Sequence, residues 1–81
     1  MIRYELFYAI AGEGSARARL LCVERRLRQV RFRNVFYPEV ERDFAARGGK
    51  TLPALWDAER EILVQGEEAV LEALRALPAG G

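Results

Sequence analysis

The sequence predicts a single α/β domain in the order β-α-β-α-β-β-α, with a four-stranded mixed sheet and helices on both faces. Three observations carry this. Apolar residues recur at helical spacing in three stretches and at strand spacing in four others. Turn and cap residues (Gly12 to Gly14, Pro38, Gly48-Gly49, Gly66) separate these stretches. A helix-length segment joins the first two strands, whereas five residues, Asp57 to Glu61, join the last two. The first pair should therefore be parallel with a right-handed crossover, and the last pair an antiparallel hairpin.

Ile2 to Tyr8 alternates apolar and charged residues before turning wholly apolar, as a strand entering the centre of a sheet does. After the turn Ala11 to Gly14, Ser15 is a natural N-cap. Ala16, Leu20, Val23 and Leu27 then define an apolar face, widened by Leu21, for a helix over 15–28. Val30 to Tyr37 reads as the second strand, with Val30 and Phe32 on one side and Arg31 and Arg33 on the other. Pro38 suits the first position of a second helix carrying Val40 and Phe44, and Gly48-Gly49 ends it. Ala54-Leu55-Trp56 and Ile62-Leu63-Val64 form the hairpin. The last helix opens at Gly66 with Glu67-Glu68 at its positive end, and buries Val70, Leu74 and Leu77, with Leu71 beside them. Residues 1–78 are expected to form the domain and 79–81 a flexible tail.

At 81 residues the chain is near the low end of what buries a sufficient core. Its 51% apolar and 31% charged composition is that of an ordinary globular protein. No apolar run approaches the ~20 residues that span a bilayer, and no leader pattern is visible, so a cytoplasmic protein without membrane contact is expected. The lone Cys22 excludes an internal disulfide and a two-thiol cycle within one chain, and with no histidine a transition-metal site is not expected. Charge is uneven: eight arginines against three glutamates through Phe36, then five basic against nine acidic residues. The arginines scatter around a helix and a strand without an interleaved aromatic platform, so nucleic acid is not an expected partner. A solvated face paired with nearby acids is.

Thr51-Leu52-Pro53 stands between a Gly-Gly-Lys loop and an apolar run. Proline cannot donate to a ladder and belongs at a strand start or an edge. A cis bond would turn the chain and leave the Leu52 backbone free to pair with an extended ligand; a trans proline would simply begin the strand. Spacing alone leaves both open.

Three stretches resemble the thioredoxin fold, and within it the glutaredoxins and the N-terminal domain of glutathione S-transferases. They are Leu6-Phe7-Tyr8 with Gly14 to Leu21, then Lys50-Thr51-Leu52-Pro53-Ala54-Leu55, then Ile62 to Leu71. The resemblance covers nearly the whole chain, although the all-helical second domain of the transferases has no counterpart. It implies a thioredoxin-like, glutaredoxin-type fold and glutathione as ligand or cofactor. The backbone of Leu52 before Pro53 would meet its cysteinyl part; Gln65, Gly66 and Glu67 would meet its γ-glutamyl end. The tetrad Gly12-Glu13-Gly14-Ser15 stands where glutaredoxins carry Cys-x-x-Cys or Cys-x-x-Ser, so dithiol and monothiol chemistry lack their nucleophile. Ser15 would act as the transferase serine does, stabilising a bound thiolate, or serve only as a helix cap.

The expected function is therefore binding of glutathione or a similar thiol peptide, without dithiol redox activity and with at most weak glutathione-dependent transfer. The alternative is a non-catalytic protein-interaction or adaptor module. Cys22 is expected in the core as a small hydrophobe. Trp56 and Phe36-Tyr37 are expected there too, with a homodimer surface as their other use. The closing Gly80-Gly81 resembles the tail of ubiquitin-like sulfur carriers, but a helix and Pro78 precede it where those have a strand.

Overall fold

A computed structural model describes residues 2–80. Gly81, part of the expected tail and Gly-Gly motif, lies outside them. The elements are β1 (Tyr4–Tyr8), α1 (Glu13–Glu24), β2 (Val30–Asn34), α2 (Pro38–Ala46), β3 (Ala54–Asp57), β4 (Ile62–Gln65) and α3 (Glu67–Ala76). The sheet order is β2-β1-β3-β4, with β1 parallel to β2 and antiparallel to β3, and β3 antiparallel to β4. The expected element order and mixed sheet are present. No described helix is long and apolar enough to cross a membrane.

Two neighbouring residues of the central strand explain the layering. Successive strand side chains point to opposite faces, and Leu6 and Phe7 are both fully buried. Leu6 packs with Val30 and Leu55 under α1 and α3, through Ala18, Cys22, Val70 and Leu74. Phe7 packs with Ala54 under α2, through Val40 and Phe44, its ring 5.4 Å from that of Phe44. Helix α2 begins on Pro38 and ends before Gly48, whose φ of 83° suits glycine.

Helix α1 departs from expectation. It starts at Glu13 on a Gly12 N-cap and stops at Glu24, so Ser15 is inside the helix rather than its cap. Its buried residues are Ser15, Ala18 and Cys22, while Leu20 and Val23 are 56% and 65% exposed. The small residues face the sheet and admit close approach; the larger stripe dominates the sequence pattern but lies outward. Leu27 is buried, from the turn after the helix.

Strand β2 also ends early. The Asn34 side chain accepts from the Phe36 N–H at 2.9 Å and its carbonyl accepts from the Tyr37 N–H at 3.2 Å, folding the chain into a turn. Phe36 and Tyr37 are consequently exposed, against the expectation of core, whereas Trp56 packs partly buried against the α2-side cluster. The closing residues lie along the turn after α1: Gln29 donates to the Pro78 carbonyl at 3.2 Å, and the Gly80 N–H to the Arg25 carbonyl at 3.0 Å.

Of the clustered arginines, Arg17 and Arg33 pair with acids as expected, whereas among the described residues Arg19, Arg25, Arg26, Arg28 and Arg31 have no acidic partner. Arg3 holds Asp57 through two bonds of 3.1 Å, Arg33 bridges Glu5 and Asp43, and Arg17 grips Glu67. These bonds hold the Asp43 and Asp57 carboxyls below their ordinary value of 3.8, and that of Glu67 below 4.5. A carboxylate whose folded value is depressed stabilises the fold above its ordinary value, and that contribution disappears as pH falls through the folded value. Thermal melts should thus be flat from about pH 7 to 5 and decline below about pH 4. A melting temperature unchanged down to about pH 2 would contradict the pairing.

Candidate functional site

The three stretches singled out in the sequence converge at one end of the sheet. Strand β1 leads into Ala9 to Gly12, β3 begins just after Pro53, and α3 begins at Gly66. The Leu52–Pro53 bond is cis. Pro53 is fully buried, and its carbonyl accepts from the Gly66 N–H at 2.9 Å, tying the proline to the start of α3. Gly66 adopts φ 95° and ψ 152°, a conformation essentially reserved for glycine. The Leu52 side chain packs against the α2-side cluster. Among the described residues neither its N–H nor its carbonyl has a hydrogen-bond partner.

Helix α1 meets this rim from the other side. A Cβ on Gly14 would lie 2.9 Å from Glu67 Oε1, so the first turns of α1 and α3 touch, and neither helix carries a side-chain cap. Among the described residues the first-turn N–H groups of both helices lack side-chain caps, a setting that favours an anion, while Glu13, Glu67 and Glu68 set carboxylates in the same turns and oppose it. Glu13 is exposed on the rim.

Ser15 sits below the rim. It is 2% exposed, and its hydroxyl oxygen accepts from the Ala9 N–H at 3.1 Å, bracing the turn between β1 and α1. Gln65 is a brace as well. Its Oε1 accepts from the N–H groups of Lys50 and Thr51 at 2.7 and 2.9 Å, and its Nε2 donates to the Gly48 carbonyl at 3.2 Å. One amide thus secures the loop that delivers Leu52.

No protein-family model, curated protein or solved structure matches the chain.

Arg17 is the residue that sequence reasoning did not place here. Its guanidinium takes both oxygens of Glu67, one at 2.7 Å, with Glu13 Oε2 at 3.9 Å. Helical spacing from Glu13 makes the second contact visible in the sequence, but the first spans fifty residues and needs the fold. The Glu67 carboxylate, expected to meet the γ-glutamyl end of a ligand, is already shared with this arginine.

No protein thiol reaches the rim. Cys22 is 4% exposed within the core beneath α1, and burial pushes its thiol up to about 11. Iodoacetamide at pH 8 should leave it unmodified in the native protein and alkylate it fully in denaturant; rapid native labelling would contradict this placement. Among the described residues no three His, Cys, Asp or Glu side chains converge as a metal site requires.

A groove of about 490 Å³ adjoins the same end of the sheet, lined by Ala9, Ile10, Ala11, Asn34, Val35 and Phe36. It lies beyond the carboxyl ends of the parallel strands β1 and β2, where open α/β sheets accept ligands.

Proposed function

We propose that this chain is a thioredoxin-like domain, of the glutaredoxin and transferase N-domain kind, that binds glutathione or a similar thiol peptide without dithiol redox chemistry. The observation that carries the reading is the Leu52 backbone, unpaired among the described residues, next to two helix starts without side-chain caps. An extended peptide pairs with such a rung as an added strand does. Its carboxylate meets the N–H groups at the start of α3, and its thiol comes to lie toward Gly12 and Gly14. Among the described residues no thiol stands there, so binding and not thiol exchange is assigned. Ser15 holds the turn in this reading and is given no catalytic step.

Titration with reduced glutathione, followed by amide chemical shifts, tests it. Shifts should be confined to Gly12–Ser15, Leu52 and Gln65–Glu67. No response at those positions up to millimolar ligand would sink the proposal. Glutathione-dependent disulfide reduction should not exceed background, and robust turnover would overturn the assignment of the tetrad.

One observation favours the second reading, an interaction module on the same fold: the Gln65 and Glu67 side chains already have partners within the chain. The Arg17→Ala variant separates the two. If glutathione's amine sits at Glu67, the variant binds it with changed affinity; an interaction module shows no glutathione binding up to millimolar ligand in either the parent or the variant.

A further inference from the structure

We propose that the outer edge of β2 and the exposed face of α1 form a second binding site, for an extended peptide segment alternating apolar and acidic residues. The proposal is independent of the rim around Leu52. Strand β2 ends the sheet, with β1 on one side only. The bonds Tyr4 N–H to Gln29 O and Val35 N–H to Tyr8 O show that β1 pairs with the odd-numbered backbone of this segment. In a parallel pair the alternate residues face away, so Phe32 presents its N–H and carbonyl outward.

Beside that open rung runs a groove of about 330 Å³ lined by Cys22, Val23, Leu27, Val30 and Phe32 together with the exposed Arg26 and Arg28. Leu20, Val23 and Phe32 are 56%, 65% and 39% exposed. This is the apolar stripe of α1 that the core leaves outside.

Charge selects the occupant. Arg26, Arg28 and Arg31 are exposed, and among the described residues none has an acidic partner. Arg31 lies on the opposite face of the strand from Phe32, so an added strand meets an apolar surface on one side and a cation on the other. An alternating sequence matches both. A second copy fits poorly: antiparallel pairing centred on Phe32 would set the two Arg31 side chains, neither with an acidic partner among the described residues, diagonally across one face of the ladder, and like charges there repel. An edge merely protected by charge would not carry an exposed apolar groove alongside.

The probe is a blocked peptide of alternating leucine and glutamate, titrated into the full chain and followed by calorimetry and amide shifts. Saturable binding should shift Val30–Asn34 and slow exchange of the Phe32 amide. The Arg31→Glu and Val23→Asp variants, both at exposed positions, should each weaken it about tenfold, and added salt should weaken it further. No binding up to millimolar peptide overturns the proposal. So does equal binding of the leucine–lysine counterpart, or shifts mapping to Leu52 and Gly66 instead. A dimer in sedimentation that Val23→Asp dissociates would assign the face to self-association and overturn it equally.

Discussion

The Glu5→Ala variant is expected to lose about 2 to 3 kcal/mol of folding stability, read from urea denaturation. Glu5 stands on the central strand facing α2, and its side chain is 15% exposed. One oxygen takes Arg33, and the other takes Arg47 at 3.0 Å. Both guanidiniums also lie over the Phe7 ring, at 5.5 and 5.6 Å from its centroid, and Arg47 covers Trp56 at 4.8 Å. Removing the carboxylate leaves two like charges against an apolar surface with one acid, Asp43, still bound to Arg33 at 2.7 Å. That remaining partner keeps the loss below the 3–5 kcal/mol typical of a fully orphaned buried charge. The double variant Glu5→Leu/Arg33→Met should recover most of the stability. It removes the enclosed pair together and leaves Asp43 and Arg47 to meet across one turn of α2. A single-variant loss below about 0.5 kcal/mol would mean that the network behaves as a surface pair.

The Gly66→Val variant should lose about 2 to 3 kcal/mol and, under the proposed function, glutathione binding with it. Among the described residues no atom lies within 4 Å of where a Cβ would stand on Gly66, so the cost is backbone conformation and not crowding. With φ at 95° and ψ at 152°, a β-branched residue must shift the backbone. The N–H that holds the Pro53 carbonyl at 2.9 Å then moves, and the Leu52 rung with it. Gly48→Asn is the control. It also sits at positive φ, 83°, but in the left-handed region that asparagine tolerates, and should lose less than about 1 kcal/mol. Equal stability of the two variants would contradict the role given to Gly66.

The order of elements, the parallel first pair, the closing hairpin and the burial of Cys22 were all legible in the residues alone. Each of these rests on local signals: strand alternation, helical spacing, Pro38 as a helix opener and glycines as stops. Where two local signals competed, long-range packing chose between them. Ser15, Ala18 and Cys22 face the sheet because close helix approach admits small side chains, and no periodicity count weighs approach distance. The Asn34 turn, a side-chain bond within three residues, put Phe36 and Tyr37 in solvent. The convergence of Gly12, Gly14, Leu52, Gly66 and Glu67 was legible only through a resemblance. What occupies their side chains, Arg17 on Glu67 and Gln65 on the loop from Gly48 to Thr51, depends on contacts between residues fourteen to fifty apart. Pairings at that separation leave no periodic trace in a single chain, because only the packing of the two helix starts against the proline loop brings the groups together.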